Sequence, residues 1–177
     1  MITVKYAIEK DLPGMLEIYN EIILNTTAVW QHDPHTLEMR KEWFALKNQL
    51  GHPVFVAEEN ATIVGFSTFG PFRQWQGYRF TVENSVYVAA DYRGRGIAKL
   101  LIPPLITVAQ TLNVHAMVAG IEASNEASIA LHEKFGFIEV AHFKEVGHKF
   151  GRWMDLKFLE LLIPAAVSIA GLTSSDK

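Results

Sequence analysis

Apolar and polar residues repeat along this chain with two periods, and the switches between them mark its elements. Ile2-Thr3-Val4-Lys5-Tyr6-Ala7 alternates faces and predicts a strand. Leu12, Met15, Leu16, Tyr19, Ile22 and Ile23 recur at helical spacing, behind Asp11 as N-cap and Pro13 in the first turn. Asn25 to Trp30 reads as a loop. A second helix is expected from Thr36 to Leu50, with Leu37, Trp43, Phe44 and Leu50 facing inward. Pro53–Glu58 and Thr62–Phe69 form a hairpin turning at Glu59-Asn60, which Gly70-Pro71 should end. Phe72 to Phe80 is a loop mixing aromatics with Arg73 and Arg79. Ser85–Ala89 is a β-branched and aromatic strand, and Ile97, Leu100, Leu101, Leu105 and Ile106 then fall on one helical face. Pro103-Pro104 removes two hydrogen bonds from that helix, so a kink is expected. Val114–Ile121 reads as a buried strand. Asn125–Phe135 is a short helix closed by Gly136 as a left-handed cap. Phe137–Ala141 and Trp153–Phe158 are the last strands, joined by a hairpin loop near His148–Arg152. This order predicts a mixed α/β domain with a largely antiparallel sheet.

At 177 residues the chain suits one domain, here taken as 1–163, with 164–177 as a C-terminal tail. A net charge of −3 gives no general electrostatic case for nucleic acid or an anionic membrane surface. The chain has no cysteine, which excludes disulfides, thiolate metal sites and a cysteine nucleophile, and suits a reducing cytoplasm. Met1 to Tyr6 lacks the basic-then-apolar pattern of a signal peptide. The apolar run Ile163–Leu172 is too short to span a bilayer and contains Pro164 and Gly171. The histidines lack metal-ligand spacing such as His-Glu-x-x-His, so no metal is expected.

The most informative stretch is Asp91-Tyr92-Arg93-Gly94-Arg95-Gly96, between the central strand and the helix that opens at Ile97. Its glycines allow a tight turn and close approach to a ligand. The helix behind it directs free N–H groups at that ligand. Arg93, Arg95 and Lys99 crowd a helix N-terminus, where the macrodipole disfavours cations unless an anion sits there. A polyphosphate would engage amides and side chains together, and a solvated basic turn is the alternative. Gly96 is followed by Ile97-Ala98 and not Lys-Ser/Thr, so this is no P-loop. Lys99 stands where a dinucleotide fingerprint needs its third glycine, which disfavours a dinucleotide-binding module.

Arg93-Gly94-Arg95-Gly96-Ile97-Ala98 does fit Arg/Gln-x-x-Gly-x-Gly/Ala, and so resembles the acyl-CoA-binding motif of the GNAT superfamily of N-acetyltransferases. Asn125 to Phe137 is similar to a second signature of that family, with His132 where a tyrosine is usual. The resemblance runs from about Thr3 to Leu161 and implies the GNAT fold, about seven strands flanked by about four helices. Thr81–Val88, Leu131-His132-Glu133 and Lys149-Phe150-Gly151-Arg152-Trp153 resemble the phosphinothricin and methionine sulfoximine/sulfone acetyltransferases most closely. That resemblance implies acetyl-CoA as co-substrate, held by Val86, Tyr87, Val88, Arg93, Gly94, Arg95, Gly96, Ile97, Ala98, Lys99 and Asn125. It implies an acceptor site of Trp30, Arg73, Gln74, Trp75, Tyr78, Glu83, Asn84 and Ser85. It also implies a homodimer with acceptor sites near the interface.

Acetyl transfer to an amine needs a base, an oxyanion donor and help for the leaving thiolate. Glu83 is the candidate base, directly or through water; otherwise it is an exposed carboxylate at a strand end. The Val88 N–H could serve as donor if the strand splays there. His132 is the candidate acid, with a structural role beside Phe135 as the alternative. Arg73, Trp75, Tyr78 and Arg79 offer a cationic fork and aromatic wall for an amino-acid head, or else form a solvated loop. Without Gly-x-Ser-x-Gly or cysteine, direct attack in a ternary complex fits better than an acyl-enzyme. The competing functions are a GNAT acting on a polyamine or peptide N-terminus, and a non-catalytic acyl-CoA sensor.

Overall fold

The structure, a computed structural model, describes residues 1–164. Seven strands form one sheet: β1 (Ile2–Tyr6), β2 (Val54–Glu59), β3 (Thr62–Pro71), β4 (Thr81–Val88), β5 (Ala116–Glu122), β6 (Ile138–Lys149) and β7 (Arg152–Leu162). Its order is β1-β2-β3-β4-β5-β7-β6. Every neighbouring pair is antiparallel except β4 with β5. The helices among the described residues are α1 (Leu12–Asn25), α2 (Leu37–Gln49), α3 (Ile97–Thr111) and α4 (Glu126–Glu133), with three short 3-10 turns. The expected order of elements is the observed one. Of the expected tail, 164–177, all but Pro164 lies outside the described residues. No described helix is long and apolar enough to cross a membrane.

Two cores lie against the sheet. Ile97, Leu101 and Leu105 of α3 pack with Phe55, Phe69, Val82, Met117 and Phe137. Leu12, Met15, Ile18 and Ile22 of α1 pack with Val54, Val56 and Phe66, and Tyr87 borders that second cluster. Each fully buried aliphatic or aromatic side chain in these layers contributes about 1.5–3 kcal/mol. Successive β4 side chains therefore divide, Val82, Asn84, Val86 and Val88 to the α3 side and Glu83, Ser85 and Tyr87 to the α1 side.

Several local expectations are corrected. Gly70-Pro71 does not end β3: Gly70 pairs with Glu83 and Pro71 with Val82. Phe72 N–H donates to Thr81 O. Pro71, one residue earlier, would thus turn its amide to the side where β2 has already ended at Val54, so its missing N–H costs nothing. The strand carrying Glu83 runs Thr81–Val88, so Glu83 lies within it, ahead of the β-branched and aromatic Ser85–Ala89 run. β6 and β7 are much longer than Phe137–Ala141 and Trp153–Phe158. Register shifts between Glu139 and Ala141 and between Phe143 and Gly147 interrupt the alternation that would have shown this. On α2, Leu37 and Leu50 are exposed while Arg40 is buried, its guanidinium 4.1 Å from the Tyr19 ring centre and 4.7 Å from that of Trp43. As expected, α3 carries Pro103-Pro104 inside a single helix, Ile97–Thr111. The carbonyls these prolines leave unpaired belong to Lys99 and Leu100, both exposed, where water can serve them.

Candidate active site

The site arises where the two parallel strands part. β4 and β5 pair only at Thr81–Ala116, Val82–Met117 and Glu83–Val118. Beyond Glu83, β4 stays on β3 while β5 follows β7, and a wedge opens between them. Ala89 N–H donates to Val64 O on the β3 side. Backbone groups alternate along a strand, so the Val88 and Val86 N–H groups turn into the wedge. The wedge continues into a cleft of about 700 Å³ lined by Val86, Tyr87, Val88, Gly94, Gly96 and Asn125, among others.

Gly94 and Gly96 have φ of 76° and 80°, the left-handed region that favours glycine, and Gly96 is the N-cap of α3. A Cβ at either position would meet no atom within 4 Å, so the loop leaves open space in front of the first free amides of α3. With Arg93, Ile97, Ala98 and Lys99 also on the lining, this cradle fits a pyrophosphate. Arg95 is turned away: it pairs with both Glu59 carboxylate oxygens at 2.9 and 3.0 Å and lies 4.9 Å from the Tyr92 ring centre. Arg93 donates to Val88 O at 3.2 Å and pairs with Glu21 at 2.5 Å.

Asn125 borders the cleft as the N-cap of α4, its Oδ1 accepting from Ser128 N at 3.1 Å. Its Nδ2 remains to donate to a ligand. Asn125→Ala is expected to cost about 1 kcal/mol as a lost cap. Thermal unfolding checks that loss. A coenzyme titration should show weaker binding in the same variant.

Glu83 sits at the apex of the wedge. A Cβ on Gly120 would stand 2.8 Å from its Oε1, so the carboxylate lies against a bare stretch of β5. Burial raises its pKa above the usual carboxylate range, and the charge of Arg73 partly offsets this. Ser85 and Tyr87 follow on the same face. Burial pushes the Tyr87 phenol up to about 12. Arg73, Gln74, Trp75 and Tyr78 sit on the β3–β4 loop and are solvent-exposed, Trp75 at 75%. Arg73 folds back on its neighbour, donating to Phe72 O at 2.8 Å over the Phe72 ring. Trp30 lies on the α1–α2 loop, with its indole N–H on Thr27 O at 2.9 Å.

None of the expected acceptor residues Trp30, Arg73, Gln74, Trp75, Tyr78, Glu83, Asn84 and Ser85 lines the cleft itself, and neither do Arg95 and His132. Asn84 and His132 are buried on the α3 side of β4, at 7% and 4% exposure. His132 Nδ1–H donates to Ser128 O at 2.8 Å, which leaves Nε2 to accept from Asn84 Nδ2 at 3.2 Å. Burial lowers the imidazole pKa. Held neutral, with its one N–H on a backbone carbonyl, His132 has no proton aimed at the cleft; it ties α4 to β4. Asn84 is likewise turned from Glu83 by the strand's alternation.

Sequence reasoning missed Glu122. It is buried at the end of β5 on the cleft wall, and accepts from Thr27 Oγ1 at 3.1 Å, Ser124 N at 3.2 Å and Ser124 Oγ at 2.5 Å. A carboxylate directly after the apolar Val114–Ile121 run was the available signal. Among the described residues no group of three or more His, Cys, Asp or Glu side chains is placed to hold a metal ion.

A strand fork opening onto a glycine cradle at a helix N-terminus defines an α/β domain with a site for a phosphate-bearing ligand. The profile of the acetyltransferase (GNAT) domain matches residues 4–157, and the chain belongs to that family. It is 42% identical over 160 residues to the L-methionine sulfoximine/L-methionine sulfone acetyltransferase of Salmonella typhimurium, covering 90% of this chain and 94% of that one. It is 35% identical to the phosphinothricin N-acetyltransferase of Streptomyces coelicolor, covering 90% and 95%. An acetyltransferase structure from Salmonella typhimurium, solved with its cofactor acetyl-CoA, superposes with a TM-score of 0.91 at 40% identity, covering 94% of this chain and 96% of that one. The chain is thus an N-acetyltransferase of GNAT type.

Proposed function

We propose that the protein transfers acetyl from acetyl-CoA to the α-amine of a small amino acid or analogue of the methionine sulfoximine, methionine sulfone or phosphinothricin kind. The observation that carries this reading is the position of Glu83, a partly buried carboxylate at the apex of the wedge, between the cleft and the arginine- and aromatic-bearing β3–β4 loop. The relatives' names support the acceptor class.

Acetyl-CoA supplies the acetyl thioester and carries away the thiol. The chain does the rest. The amides of Gly94 to Lys99, with Arg93 and Lys99, hold the pyrophosphate. The Val88 N–H donates to the thioester carbonyl oxygen as charge builds on it. Arg73 takes the acceptor's carboxylate, and Trp75, Tyr78 and Trp30 wall its side chain. Glu83 removes the ammonium proton, directly or through water, and the free amine attacks the carbonyl carbon in a ternary complex. The C–N bond forms and the C–S bond breaks, the second proton of the attacking nitrogen goes to the leaving thiolate directly or through water, and the proton left on Glu83 passes to solvent. Ser85, on the same face of β4, borders the acceptor beside Glu83. A second copy of the chain closes the exposed acceptor loop, making a homodimer that acts in the cytoplasm.

Thiol release from acetyl-CoA tests this with phosphinothricin, methionine sulfoximine, methionine sulfone, ordinary amino acids, spermidine and short peptides. Saturable turnover of the sulfoximine group is the expected result. Turnover confined to spermidine or peptides would overturn the acceptor class. Acetyl-CoA binding with no turnover of any amine would make the protein a sensor.

A further inference from the structure

The segment Lys149-Phe150-Gly151-Arg152-Trp153 has no part in the chemistry above, yet Lys149 is the most unusual side chain near the acceptor side. It is 1% exposed, and among the described residues its ammonium pairs with no carboxylate. Nζ instead donates to three backbone carbonyls: Ile23 at 2.5 Å, Thr26 at 2.8 Å and Val29 at 2.6 Å. These are three donors on three acceptors, the full capacity of an ammonium group. Ile23 lies in the last turn of α1, whose final carbonyls have no helical partner and carry the negative end of the dipole. Thr26 and Val29 lie in the loop that follows, which sends Thr26, Thr27 and Ala28 to the cleft lining and carries Trp30.

A second contact joins the same two segments. A Cβ on Gly147 would stand 2.2 Å from the Trp30 ring, so the indole lies directly on the β6 backbone where only glycine leaves room. The far side of the loop is fastened separately, through Thr27 to Glu122 on β5. The first five residues of the α1–α2 loop, 26–30, are thus held by the β6–β7 hairpin on one side and by β5 on the other. Burying an ammonium costs several kcal/mol unless its hydrogen bonds are met. Serving only as a surface anchor would not require that burial.

We propose that Lys149 is a positioning residue for the acceptor amine: with Gly147, it fixes the α1–α2 loop and Trp30 as the acceptor wall. This rests on the acetyltransferase reading above. Lys149→Met keeps the side chain's length and removes all three donors. Amide exchange in residues 26–30 should speed up, and the amine KM should rise about tenfold or more, since displacing a wall by about 1 Å is enough for such losses. Binding of acetyl-CoA should weaken far less than that of the amine, because Thr26, Thr27 and Ala28 only border the cleft while the phosphate cradle lies on α3. Lys149→Arg, which can still reach some of the carbonyls, should fall between wild type and Lys149→Met. Gly147→Ala should raise the amine KM by displacing Trp30 with Lys149 intact, and it serves if Lys149→Met does not fold.

Unchanged exchange in 26–30 would overturn the proposal. So would a folded variant with a wild-type amine KM and only a lower melting temperature, or an equal loss of acetyl-CoA affinity. If wild-type protein turns over no amine, the acetyltransfer reading fails by itself, and the exchange measurement still decides whether Lys149 holds the loop.

Discussion

Glu83→Gln should lower kcat/KM for the amine by about 10²–10⁴, the range expected when a positioned general base is removed. Acetyl-CoA affinity should stay near wild type, because the carboxylate lies at the apex of the wedge and not among the phosphate-binding amides. The substitution preserves shape, so lost turnover would report lost basicity. The pH profile tests the same assignment independently. Glu83 must be ionised to accept a proton, and burial raises its pKa while Arg73 only partly restores it. Wild-type kcat/KM should therefore fall as pH drops through a midpoint above the usual carboxylate range, and Glu83→Gln should lack that limb. Arg73→Ala removes the charge that favours the ionised form, so it should move the midpoint further up as well as raising the amine KM. A Glu83→Gln enzyme with full turnover at every pH would remove Glu83 from the mechanism.

The elements visible in the sequence were those whose signal is local. Amphipathic α1, the β2–β3 hairpin, the buried β5 and the Gly94–Gly96 cradle each announce themselves within a dozen residues, through periodicity or glycine. The cradle was legible as an anion site because its basic residues conflict with the α3 dipole unless a ligand resolves the conflict. Arg95 resolves it differently, through Glu59 on β2, a partner thirty-six positions away that no spacing rule would find.

Where the sequence failed, the deciding contact was distant or the period was broken. Two bulges disguised half of β6. Arg40 took an inward position because aromatic rings from α1 and its own helix could receive its guanidinium, which a polar letter in a helical pattern does not reveal. His132 and Asn84, singled out separately as acid and acceptor contact, instead hydrogen-bond to each other. Adjacent strand residues always face opposite sides, so Glu83 and Asn84 could not share a site face, but which of them faces α3 is set by the helices packed on each side and not by the local sequence. Glu122 and Lys149 gained meaning only from loops folded against them.

The other large effect should come from Gly96→Asp, and it falls on the opposite partner of the reaction. Gly96 has φ of 80° at the N-cap of α3, and an L-residue there is strained by about 1–2 kcal/mol. The space in front of it is open, so the new side chain would clash with nothing in the protein. Its carboxylate would instead stand where the pyrophosphate belongs and would attract the free amides of α3 and the Lys99 ammonium. Like charge placed against a bound anion costs several kcal/mol. Affinity for acetyl-CoA should therefore fall about 100-fold or more, each factor of ten being about 1.4 kcal/mol. Calorimetric titration with coenzyme A measures this without any acceptor. Gly96→Ala separates the two contributions: it carries the backbone strain without the charge, so its affinity should lie much nearer wild type. Melting temperatures should drop modestly and by similar amounts in both variants, because the strain is common to both. If Gly96→Asp bound coenzyme A as tightly as wild type, the cradle would not be the phosphate site, and the basic cluster at Arg93, Arg95 and Lys99 would be a solvated turn held by Glu21 and Glu59.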